Sequence, residues 1–99
     1  MGSNQSPNKL QHRTYRVERV QTGVRMEKRL VKVLKALAEY LELSLGDLLE
    51  GIVLHAFDGK APFSKETLGK IADLKQVYEL DLDAGASHHL MESEDETDG

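Results

Sequence analysis

The sequence contains no cysteine and no tryptophan, and only two prolines and five aromatic residues (three Tyr, two Phe) in 99. Without cysteine there is neither a disulfide framework nor a thiolate metal site, so a reducing compartment is the default. No apolar run approaches the length of a bilayer-spanning helix, and the polar opening MGSNQSPNKLQH lacks the hydrophobic core of a secretion signal. The chain is therefore expected to be cytoplasmic, with no membrane partner. That opening does fit the N-myristoylation pattern, with Gly2 and Ser6 in place. Such short patterns recur by chance and Pro7 follows closely, so residues 1–13 read as a disordered arm.

Catalytic signatures are missing as well. No nucleophile stands with its base, no Gly-rich stretch suits a phosphate, and no pair of carboxylates is recognisable as catalytic. The expectation is a protein that is not an enzyme and uses no cofactor. His88, His89 and Glu92 invite a metal reading, but adjacent histidines rarely converge on one ion, and the flanks AGAS and ESEDE read as a loop. His55, within an apolar helical stretch, reads as a hydrogen-bonded interface residue.

What the chain does have is charge of both signs, separated. The net charge is −4, yet residues 1–35 carry nine basic against two acidic residues, a net +7, and the remainder carries four against fifteen, a net −11. The first third thus presents a local positive field on an acidic protein. A chain of this length holds one core and often gains stability by oligomerising.

The apolar periodicity changes along VQTGVRMEKRLVKVL, residues 20–34. Val20, Thr22, Val24 and Met26 alternate with Gln21, Gly23 and Arg25, the two-residue period of a half-buried strand. From Leu30 the spacing is helical: Leu30, Leu34, Leu37 and Leu41 recur at steps of four, three and four, with Val33 and Ala38 widening the stripe, which predicts a helix over 27–42 with Lys28, Lys32, Lys35 and Glu39 wet. Ser44 is a good N-cap, with Asp47 three residues on, for a second helix, LGDLLEGIVLHAF, that is apolar around most of its circumference. Such a helix is buried on more than one side. DGKAP ends it, and Ser64 caps a third helix through KETLGKIADLKQVYEL, with Leu68, Ile71, Leu74 or Lys75, and Tyr78 on one stripe and Val77 broadening it. Five of the seven residues from Glu92 to Asp98 are acidic, a composition typical of disorder. The expected organisation is an arm over 1–13, a core domain of strand and two helices over 14–58, an extra helical segment over 59–82 and an acidic disordered tail over 83–99.

A single strand followed by helices needs a hydrogen-bonding partner from elsewhere, because an unpaired strand leaves its backbone groups open. The economical partner is the same strand of a second copy, antiparallel about a two-fold axis. The fold class expected is mainly α, with one N-terminal strand forming an intermolecular antiparallel β ribbon in a homodimer, two core helices and an extra C-terminal helix. Val24, Met26, Leu30, Leu34, Leu37, Leu48, Leu49, Ile52 and Ala56 are the expected dimer core.

TGVRMEKRLVKVLKALAEYLELSLGDLLEGIV resembles the ribbon-helix-helix repressors, the group that includes MetJ and Arc, across about residues 20–57. The resemblance implies a homodimer that binds double-stranded DNA as a transcriptional regulator, with the ribbon in the major groove. By position it assigns base contacts to Gln21, Gly23 and Arg25, which span about 13 Å along a strand. It assigns phosphate contacts to Ser44, Leu45 and Gly46 at the start of the second helix, where free amides and the helix dipole favour an anion. Gly23 brings no side chain to the centre of that face, and Glu42 stands where the family often places Gly to end the first helix. Independently of the resemblance, Arg13, Arg16 and Arg19 are expected to follow the phosphate backbone or a minor groove, with Lys28 beside them. The alternative is a protein-interaction module such as an antitoxin, binding a partner toxin through residues 60–99.

Overall fold

A computed structural model describes residues 14–93. The myristoylation pattern, the arm over 1–13 with Arg13, and the last six positions of the acidic tail lie outside the described residues. Three helices of 13 residues each are present: α1 (Lys28–Tyr40), α2 (Leu45–Phe57) and α3 (Lys65–Val77), with a 3-10 turn at Ala84–Ala86. The mainly helical expectation agrees with this arrangement.

The β ribbon does not. Among the described residues there is no strand; residues 14–27 carry no regular secondary structure. Their alternation yields a segment whose Val20 and Val24 are 82 % and 74 % exposed, and no backbone ladder joins it to another part of the chain. The physical reason is that side-chain alternation specifies local extension only, whereas a strand requires a second row of donors and acceptors in register. Side chains attach this segment instead, through Arg19 and Arg25.

Each helix starts on a side-chain acceptor. Glu27 caps α1, its Oε1 accepting from Leu30 N–H at 2.8 Å; Ser44 Oγ accepts from Asp47 N–H at 3.0 Å, and Ser64 Oγ from Thr67 N–H at 3.2 Å. Each ends alike, in a Schellman turn that satisfies two terminal carbonyls. At α1, Glu42 N–H reaches Glu39 O at 3.0 Å and Leu43 N–H reaches Ala38 O at 2.8 Å; the same pair of bonds closes α2 at Gly59 and Lys60 and α3 at Glu79 and Leu80. The turn needs a left-handed residue, and φ is 60° at Glu42, 70° at Gly59 and 55° at Glu79. Only the middle helix supplies glycine there.

α2 and α3 both pack on α1, not on each other. The core is Leu37 and Ala38 of α1 against Leu48 of α2, with Leu34, Leu41, Ile52, Phe63, Ile71 and Leu74 packed around them. Val33 and Leu80 are also buried. The third helix differs from its expected stripe, since Leu68 and Val77 are exposed while Ile71 and Leu74 turn inward. Phe63, before α3, and Leu80, after it, hold its two ends, and Lys70 Nζ lies 4.9 Å from the Tyr40 ring centroid.

A left-handed conformation costs an L-residue about 1–2 kcal/mol, part of which the extra unfolded-state entropy of glycine offsets. Glu42→Gly is therefore expected to stabilise the fold by about 0.5–1 kcal/mol in urea unfolding. A loss of stability would show that Glu42 makes a favourable contact outweighing its strain.

Candidate nucleic-acid interface

The expected site residues fall into three places. Arg16, Arg19, Gln21, Gly23 and Arg25 lie along the segment without regular secondary structure that precedes α1, and are exposed. Lys28 opens α1, and Ser44, Leu45 and Gly46 open α2. Gly23 has open space around it, with no heavy atom within 4 Å of where a Cβ would stand. A side chain there would thus project freely.

Arg19 joins the segment to α2. Its Nε donates to Glu50 Oε2 at 2.9 Å and its Nη2 to Glu50 Oε1 at 2.8 Å, a bidentate fork, while Nη2 also lies 3.5 Å from Asp47 Oδ1. That hydrogen bond, with the positive charge behind it, holds the Glu50 carboxyl below the usual range. Two carboxylates therefore stand in the first two turns of α2, beside the amides expected to meet phosphate. They favour the helix dipole and, once Arg19 leaves them, oppose an incoming anion.

Arg25 is 83 % exposed at its side chain and pairs with Glu92, from the far end of the described chain. Arg29, not singled out by its position in the sequence, is the most connected of the arginines. Its Nε donates to Glu27 Oε2 at 2.9 Å, and its Nη1 donates to Glu79 O at 2.9 Å and to Asp81 Oδ1 at 3.1 Å. The start of α1 is thus fastened to the end of α3. Burial pushes the Glu27 carboxyl up, but Arg29 and the Leu30 amide outweigh that and hold it below the usual carboxylate range.

Sequence reasoning missed Glu50, Glu92 and Asp81 as partners of these arginines. Each pair is separated by at least 31 positions, so no helical or strand spacing announces it.

The expected dimer core is distributed unevenly. Leu37 and Leu48 are buried, Leu30, Leu34, Leu49 and Ile52 half-buried, and Val24, Met26 and Ala56 exposed. Beside Ala56, Leu54 and Phe57 are 64 % and 81 % exposed, so the second half of α2 presents an apolar face to solvent. His55 is exposed on that half, its Nδ1–H donating to Gly51 O at 2.7 Å. Among the described residues no three His, Asp or Glu side chains are grouped to hold a metal, and no helix is long and apolar enough to cross a membrane.

No family model, curated protein or solved structure matches the chain.

The sign of the Glu27 effect fixes a pH dependence. A carboxyl whose pKa is lowered by folding contributes stability above its unfolded value, and that contribution is lost as pH falls through the folded value. Wild-type stability is expected to drop on acidification below pH 4.5, with Glu27→Gln starting lower and falling less. Parallel losses in the two proteins would contradict this assignment.

Proposed function

We propose that this protein binds double-stranded DNA as a homodimer and regulates transcription. The observation that carries the reading is the exposed segment 14–26, without regular secondary structure, which bears Arg16, Arg19 and Arg25 in the most basic third of the chain. An extended run of guanidinium groups follows a phosphate backbone without demanding a particular base order, since each contact releases a counterion. Gln21 and Arg25, both exposed, supply base-reading chemistry, Arg25 toward guanine and Gln21 toward adenine.

Dimerisation is the second element of the reading, and α2 supports it. Only five hydrophobic residues are buried in the described chain, while Val53, Leu54 and Phe57 face outward together. Covering such a face is worth roughly 25 cal/mol per Å2 of apolar surface, and a small chain has few other ways to add core. A second copy offering the same face closes the contact by symmetry. It would also place two basic segments on one duplex.

One observation favours the interaction-module alternative: Leu68, Val77, Leu90 and Met91 are also exposed, so residues 60–93 offer apolar surface to a partner protein.

Selection from sheared genomic DNA at about 150 mM salt, where weak nonspecific contacts are reduced, tests the first reading. Enrichment of a short repeated sequence is the expected result; retention of nothing would favour the interaction module. Replacing Leu54 and Phe57 by Glu is expected to give a folded monomer in sedimentation, with DNA affinity reduced about tenfold or more. A dimer that survives both changes would place the interface elsewhere.

A further inference from the structure

We infer that Arg19 is a positioning residue, kept on Glu50 and Asp47 so that segment 14–26 is anchored beside the first half of α2, while Arg16, Gln21 and Arg25 address the duplex. This rests on the DNA-binding reading above and gives the arginines of one segment different roles.

Residues 14–26 have no regular secondary structure and join no backbone ladder, so side chains set where they lie against the helices. Arg19 reaches α2 through three contacts of ordinary length. Nε donates to Glu50 Oε2 at 2.9 Å, Nη2 donates to Glu50 Oε1 at 2.8 Å, and Nη2 stands 3.5 Å from Asp47 Oδ1. A bidentate guanidinium–carboxylate pair fixes direction as well as distance. A lone exposed ion pair is weak, but here one guanidinium serves two carboxylates three positions apart, neighbours on a helix that Ser44 caps and Leu48 anchors in the core.

Transfer of Arg19 to phosphate would gain one ion pair and uncover two carboxylates. Asp47 and Glu50 would then repel a phosphate approaching the amides of Leu45 and Gly46, so the guanidinium stays in place when DNA binds. Its location also relates the segment to the proposed dimer face. Asp47, Glu50, Leu54 and Phe57 follow one another at steps of three, four and three, which puts them on one stripe of α2. Arg19 engages the first half of that stripe, and the exposed Leu54 and Phe57 form the second. From Glu50 to Phe57 the helix rises about 10 Å. Two copies joined through Leu54 and Phe57 would therefore hold their segments at a set spacing, as two half-sites on one duplex require.

The test titrates the full chain, Glu50→Gln, Arg19→Gln and the double variant into a labelled duplex of about 30 base pairs at about 100 mM salt. Helical circular dichroism confirms that each is folded. Glu50→Gln removes a negative charge beside the proposed interface, so a Glu50 that merely opposed phosphate would, once neutralised, leave binding tighter. The positioning role predicts the opposite sign: binding about three- to tenfold weaker, because both copies lose the anchor. Arg19→Gln is expected to lose as much with an unchanged salt slope, and the double variant no more than either single change. Tighter or equal binding by Glu50→Gln, additive losses, or a slope reduced by about one per copy in Arg19→Gln overturns the assignment. A second measurement needs no DNA. The sequence has no cysteine, so Thr22→Cys accepts a single spin label, expected to broaden amide signals in the first half of α2 and to lose that effect when Glu50→Gln is added. No broadening in the Thr22→Cys chain overturns the anchorage itself. Broadening without any duplex binding overturns the DNA reading and the spacing role while the anchorage stands.

Discussion

Leu37 and Ala38 against Leu48 form the contact on which the structure depends. α1 is the only helix that touches both others, and Leu37 is 2 % exposed at their junction. That contact holds both helices against α1. The cluster is small for a described length of 80 residues, 14–93, and small domains bury too little surface to be stable by a wide margin. Two further features follow from that shortage. The fold uses polar fasteners at its ends, and it leaves the apolar second half of α2 uncovered.

The main fastener is Arg29, which binds the capping Glu27 on one side and the left-handed turn after α3 on the other. Leu80, brought inward by that turn, adds apolar contact to the same end. Arg19 similarly ties the extended segment to α2. Arg19, Arg25 and Arg29 are thus already engaged by internal carboxylates. On the proposed DNA-binding reading, binding is an exchange of anions, in which the loss of one ion pair offsets part of the gain from the next.

The helices were legible because their signals are local. Leu30, Leu34, Leu37 and Leu41 mark the inner face of α1, and Ser44 and Ser64 do cap the next two helices as their positions predict. Glu27 was less legible as a cap, because glutamate is not among the preferred N-caps and serves here with Arg29 holding its second oxygen. The ribbon was misread for a physical reason: Val20, Thr22, Val24 and Met26 alternate in an extended chain whether or not a ladder forms. Phe63 and Leu80 escaped notice because each lies outside a helical stripe and is buried by the path of the chain. The α2 apolar surplus was legible as a surplus, since its composition is visible without knowing what faces it. The ion pairs of the candidate interface were not legible at all, being set by tertiary approach between distant positions.

Amide hydrogen exchange of the free protein and of its complex with duplex DNA tests the central claim, that residues 16–27 form no backbone ladder in the free protein and are where duplex DNA binds, most directly. In the free protein these amides are expected to exchange nearly as fast as unstructured chain while α1 and α2 are protected. Added DNA is expected to slow exchange across residues 16–25 and leave the helices nearly unchanged. Strong protection of alternate amides in the free protein, or a DNA effect confined to α3, would contradict the claim.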